Sequence, residues 1–123
     1  MSLRNIDAAN AAKGIEAGKL RLYDIREPHE HASERIDGAV LLPLSDIRPG
    51  ITKLEPGATP VFHCKSGVRT AMNAAALADI AGGPALILEG GIMAWKRAGL
   101  PVTAQGGPSL LARLAALFGG TKG

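Results

Sequence analysis

The sequence predicts an α/β domain built on a mostly parallel sheet flanked by helices. Three observations carry that expectation. Short apolar runs at residues 20–25, 39–43, 61–62 and 85–88 alternate with segments of good helix formers at 8–17, 70–81 and 92–98. One of those runs, Ala85-Leu86-Ile87-Leu88, is unbroken, as suits a parallel strand covered on both faces. At 123 residues, 46% hydrophobic and 20% charged, the chain has the size and composition of one folded domain with a core.

The elements follow in order. Residues 1–4 carry no structural signal. Asp7 is placed to cap a helix over 8–17, which Gly18 terminates. Residues 20–25 read as a strand ending in Asp24-Ile25-Arg26-Glu27-Pro28, where Pro28 stops regular pairing. Residues 29–35 form a polar loop or a helical turn. A second short strand spans 39–43, and Ser45 can cap a brief helix that Pro49 and Gly50 keep short. Turn residues at 55–60 lead into the strand at Val61 and Phe62. That strand stops at Cys64, a loop containing Gly67 follows, and a helix is expected over 70–81, ended by Gly82-Gly83-Pro84. After the strand at 85–88, Gly90 and Gly91 open a helix over 92–98 that Gly99 and Pro101 close. Residues 1–104 are read as one domain, and 105–123 as a linker and an amphipathic helical tail. In that tail Leu110, Leu111, Leu114, Leu117 and Phe118 share one face. Such a face favours docking on its own domain or a twin over a membrane surface, since a single Arg accompanies it.

Composition narrows the function. A net charge of +3 suits a small anionic substrate, and 3% aromatic content removes the stacking that single-stranded nucleic acid requires. One cysteine excludes an internal disulfide, a multi-cysteine zinc site and a dithiol mechanism within the chain. The first residues lack the apolar segment of a signal peptide, and no window reaches the ~20 apolar residues of a membrane span, so a reducing cytoplasm is expected.

The strand–loop–helix around Cys64 is the candidate site. Amides of a tight loop and a first helical turn converge on whatever follows a strand end, and form an anion nest. Lys65 and Arg69 add charge, with Ser66, Gly67 and Val68 completing the anion-binding loop. Shifting a thiol down by two units from about 8.5 needs ~2.7 kcal/mol of preference for the thiolate. A helix N-terminus supplies up to ~2 kcal/mol, and one cation covers the rest. Cys64 is therefore read as a thiolate nucleophile, against the alternative of a small buried hydrophobe. Asp24 and Arg26, at a neighbouring strand end, are supporting residues that brace the loop. His63 adjoins Cys64, but successive strand side chains point to opposite faces, so it packs or meets solvent rather than acting as a base. His29 and His31 make only a weak metal pair, no metal or organic cofactor is expected, and Trp95 belongs to the core.

Three blocks in order resemble the single-domain rhodanese (sulfurtransferase) family: Asp24-x-Arg26-Glu27 with Gly38-Ala39 and Pro43, Cys64-x-x-Gly67-x-Arg69, and Gly90-Gly91-x-x-x-Trp95 with Gly99-x-Pro101. The resemblance spans residues 3–102. It departs from the family pattern at Arg35, where His often stands, and in the tail. It implies a rhodanese-like three-layer fold and a sulfurtransferase that carries sulfur on a Cys64 persulfide. The implied partners are a small anionic donor such as thiosulfate and a thiol, cyanide or protein acceptor; thiosulfate, glutathione persulfide and a protein persulfide all remain open as donors. Phosphate-binding relatives resemble a Cys-x5-Arg pattern, whereas Arg69 stands one residue earlier here and Thr70 takes the place of that Arg. The shorter loop favours sulfur over phosphate or arsenate, and a non-catalytic binding module is the other alternative.

Overall fold

The computed structural model of the chain describes residues 3–104. Its strands are β1 (Arg4–Ile6), β2 (Leu20–Asp24), β3 (Glu34–Ile36), β4 (Val40–Leu41), β5 (Thr59–His63), β6 (Leu86–Leu88) and β7 (Val102–Ala104). Its helices are α1 (Ala8–Glu16), α2 (Pro28–Ser33), α3 (Val68–Met72), α4 (Ala74–Ala81) and α5 (Gly91–Arg97), with a 3-10 turn at Leu44–Asp46. Five strands form the central sheet in the order β1-β6-β5-β2-β4, every pairing parallel, and β3 and β7 make a separate antiparallel ribbon. The expected mixed α/β architecture with a parallel sheet is what the chain adopts.

Strand alternation divides the core into two layers, one on each side of the sheet. Leu22, Val61 and Leu88 face Ala8 and Ala11 of α1 and Ile92 and Trp95 of α5. Tyr23 and Phe62, with Ile25 beyond the strand end, face Leu77 and Ile80 of α4. Trp95 is buried as expected, and its indole N–H donates to the Pro101 carbonyl at 3.0 Å.

The central strands position the site. After β2 the chain runs outward to β4, and after β5 it runs the other way, to β6. Connections that diverge from two adjacent parallel strands leave a crevice beyond their carboxyl ends. Asp24 and His63 are register partners at those ends, so Cys64 enters the crevice directly.

Several elements depart from the sequence expectation. The first segment is β1, which pairs with β6. The polar stretch at 29–35 resolves into α2 and β3, with Glu27 and Glu30 forming a capping box. Ser45 lies inside the 3-10 turn rather than before it, and its hydroxyl donates to Glu27. The helix expected over 70–81 starts at Val68 and breaks at Asn73, whose side-chain amide donates to the Arg69 carbonyl at 2.7 Å. A side chain that engages the preceding turn competes with continuation of the helix. The linker and amphipathic tail expected over 105–123 lie outside the described residues. Among the described residues no helix is long and apolar enough to cross a membrane.

Candidate active site

Cys64 follows β5 and is only 1% exposed. The Gly67 N–H donates to its Sγ at 3.0 Å, and the Thr70 hydroxyl lies 3.9 Å away. Gly67 adopts φ +102°, which folds the loop back over the sulfur and starts α3 in the same move. Burial pushes the Cys64 thiol up, but the Thr70, Gly67 and Arg69 amides and the Thr70 hydroxyl together outweigh it. The net result is a thiol below its ordinary value. The donors therefore run from Gly67 to Thr70, displaced toward the helix from the span of Lys65 to Arg69 expected from the sequence. With only five residues in α3, these local donors, not a long helix dipole, account for the lowered thiol.

The loop rests on α5. The Ile92 and Met93 amides donate to the Cys64 and Lys65 carbonyls at 3.0 and 3.1 Å. Those carbonyls are turned down onto a helix N-terminus, which leaves the loop's N–H groups free to point toward the sulfur. Gly91 makes the contact feasible. At φ +60°, a Cβ there would collide with the Cys64 carbonyl and come within 2.5 Å of the Lys65 carbonyl oxygen.

The side chains of the two expected cations part company. Arg69 donates to both Glu30 carboxylate oxygens, at 2.7 and 2.8 Å, and this guanidinium holds Glu30 down at about 2. Its charge is thus shared with α2 instead of standing free over the sulfur. Lys65 is exposed and lines a cavity of about 290 Å³ together with Arg26, Glu30, Glu34, Met93 and Lys96. Ser66 and Val68 face outward on the other side of the loop, in a groove of about 430 Å³.

Asp24 and Arg26 form a buried pair, with Arg26 Nε and Nη2 donating at 2.9 and 2.8 Å. Burial raises the Asp24 carboxyl, but the Arg26, His63 and His31 contacts outweigh it and hold it at about 2. Neither side chain bonds the Cys64 loop directly. Their link runs through His63, whose ring lies 3.8 Å from Asp24 and shares its Nδ1 with the Cys64 carbonyl at 3.0 Å. Desolvation pushes His63 down, so it is neutral and buried, and it packs rather than meeting solvent. His31 turns its Nδ1 to Asp24 at 2.9 Å while His29 is exposed at the cavity. The two are not a pair.

Sequence reasoning missed Thr70 and Glu30. Thr70 was legible only as helix, although a hydroxyl three residues after a loop Gly can bond back to it, as it does to the Gly67 carbonyl at 2.9 Å. Glu30 lies 39 residues from its partner, and no local spacing announces it.

Comparison with known proteins places this arrangement. The model of the rhodanese-like domain matches residues 7–98. The probable adenylyltransferase/sulfurtransferase MoeZ of Mycobacterium tuberculosis is 41% identical over 105 residues, which cover 74% of this chain and 27% of that protein. The chain thus spans about a quarter of that relative's length. The putative sulfurtransferase YtwF of Bacillus subtilis is 36% identical over 97 residues, covering 78% of this chain and 93% of that one. Among solved structures, a rhodanese-related protein from Thermoplasma volcanium superposes with a TM-score of 0.69 at 29% identity, over 81% of this chain and 97% of its own. With the family match over three quarters of its length and the parallel sheet that carries Cys64 at a strand end, the chain belongs to the rhodanese-like domain family.

Proposed function

We propose that this domain is a sulfurtransferase that carries a sulfane sulfur on Cys64. The observation that carries the reading is the buried Sγ held by the Gly67 amide at 3.0 Å, with the Arg69 and Thr70 amides and the Thr70 hydroxyl lowering its pKa. In the first half-reaction the Cys64 thiolate attacks the outer sulfur of thiosulfate. A Cys64–sulfur bond forms as the sulfur–sulfur bond of the donor breaks, and the electron pair leaves with sulfite. Charge balances, because one thiolate and one dianion become one persulfide anion and one dianion. In the second half-reaction a thiolate or cyanide takes the outer sulfur and Cys64 departs as thiolate. No general base is required when the thiolate is preformed. The same amides stabilise thiolate and persulfide, both of them monoanions at one place.

Lys65 fits the role of drawing an anionic donor to the cavity beside the loop. Arg69 fits the role of positioning residue, because its guanidinium is committed to Glu30 while its backbone N–H serves the sulfur. That commitment also favours sulfur transfer over phosphoryl chemistry, which calls for a guanidinium clamping the phosphoryl oxygens. Asp24 and Arg26 support the strand end through His63. Residues 1–104 act as the catalytic unit in this reading, in a cytoplasmic setting and without a resident metal or organic cofactor.

The test is sulfur loading. Incubation with thiosulfate adds one sulfur atom to the intact mass, and cyanide removes it as thiocyanate. Cys64→Ser abolishes both. A wild-type chain that stays unmodified with thiosulfate and with glutathione persulfide contradicts the proposal.

A further inference from the structure

His63 is a buried titratable group to which the sulfur chemistry gives no task. Strand alternation puts Phe62 and Cys64 on the α4 side of the sheet, and Val61 and His63 on the side of α1 and α5. Whatever the ring does for Cys64 therefore passes through the backbone. Two distances locate its proton. Nδ1 lies 3.0 Å from the Cys64 carbonyl oxygen, within hydrogen-bond reach, and Nε2 lies 3.8 Å from Asp24 Oδ1, beyond it. A carbonyl oxygen only accepts, so the neutral ring carries its hydrogen on Nδ1.

Asp24 needs no bond from that ring. Its Oδ1 accepts from the Arg26 backbone N–H and Nε at 3.0 and 2.9 Å, and its Oδ2 accepts from Arg26 Nη2 and His31 Nδ1 at 2.8 and 2.9 Å. Those bonds fill the lone pairs of a carboxylate. His63 Nε2 is left buried, with no hydrogen-bond partner among the described residues. An unsatisfied buried acceptor carries a cost that an apolar side chain avoids, so packing alone does not account for an imidazole here. The one bond the ring makes goes to the Cys64 carbonyl, and the Ile92 amide donates to the same oxygen at 3.0 Å. One donor belongs to β5 and the other to the first turn of α5. Two donors on one oxygen fix the plane of the peptide that joins Cys64 to Lys65. Two residues further on, the Gly67 N–H reaches Sγ at 3.0 Å, so a rotation of that plane disturbs the loop's grip on the sulfur.

We propose that His63, as its Nδ1–H tautomer, is a positioning residue: its N–H and the Ile92 amide together clamp the Cys64 carbonyl and so set the loop that closes over Sγ. This positioning deepens the proposed function, and rests on it for what the sulfur then does. The clamp itself requires no sulfur transfer.

Two measurements on the full chain test it. Nitrogen NMR of the unaltered chain with isotope-labelled histidines, of which the sequence has three, reads the tautomer at neutral pH. His63 should show a protonated Nδ1 and a bare Nε2; the opposite pattern overturns the proposal, whether or not any variant folds. The second measurement is the pH profile of Cys64 alkylation by iodoacetamide in three variants. His63→Asn places an amide N–H where Nδ1 stands, His63→Gln places one near Nε2 and toward Asp24, and His63→Leu has neither. The Asn chain should keep the inflection of the unaltered chain. The Gln and Leu chains should show it moved upward, with alkylation at neutral pH severalfold slower. A side chain that merely filled space would not separate Asn from Gln. Gln and Leu profiles that coincide with that of the unaltered chain overturn the proposal, as does an Asn profile displaced as far as the Leu one. Failure of sulfur loading leaves the tautomer and these profiles intact, so the two proposals fail separately.

Discussion

At the scale of single residues, the site is a contest over one sulfur. Burial disfavours the charged thiolate, and local N–H and O–H groups favour it; the donors win. The Thr70 hydroxyl is the one donor whose contribution can be removed without changing the backbone. It is fully buried and sits between the Gly67 carbonyl and Sγ. Thr70→Val keeps the shape and loses the hydroxyl, so the Cys64 pKa should rise. Thr70→Ser should restore it. The pH dependence of Cys64 alkylation reads both. The position of Cys64, between an apolar strand and a Gly-containing loop, was legible in the sequence. The fate of Arg69 was not, because the carboxylate that claims it comes from a helix 39 residues away.

At the scale of elements, the Cys64 loop owes its shape to α5 as much as to its own sequence. Gly90 and Gly91 read from sequence as the opening of a helix, which they are. What the sequence concealed is that this opening is the platform under the loop. The contact depends on backbone atoms from residues 64 and 65 meeting residues 92 and 93. Adding a Cβ at Gly91 forces apart two segments that cannot shift independently, in a left-handed conformation that itself costs about 1 kcal/mol. Gly91→Ala should therefore destabilise the chain by about 2–3 kcal/mol and slow sulfur loading of the folded fraction. A urea titration with an unchanged midpoint would show that the loop does not rest there. The break at Asn73 has the same lesson. Residues 70–81 are all compatible with one helix, and only the amide of Asn73 reaching back to Arg69 separates α3, over the site, from α4, over the sheet.

At the scale of the whole molecule, the parallel sheet was legible because apolar runs alternate with helical segments. The strands β1, β3 and β7 were not, since none of them is a continuous apolar run, and β3 finds β7 across the length of the domain. Pairing of that range is set by tertiary register and not by local pattern. The buried network at the strand ends couples the fold to pH. His63 lies below its ordinary 6.5 in the folded state, so the unfolded chain binds more protons there and stability falls as pH drops through about 6.5. Asp24 and Glu30 are held at about 2 from ordinary values of 3.8 and 4.5, so their contribution is present above those values and lost as pH falls toward 2. Asp24 accounts for about 2 kcal/mol of that second loss. Urea midpoints should fall in two stages, gently below pH 6.5 and steeply below pH 4. A midpoint constant from pH 7 to pH 4.5 would contradict a neutral, buried His63.

The alkylation titration of the unaltered chain tests the central claim most directly. If loop amides hold Cys64 as an anion, its reactivity follows a pKa clearly below the ordinary cysteine value of about 8.5. An inflection at or above that value would mean that burial prevails, and the sulfur would then be a packed hydrophobe instead of a nucleophile.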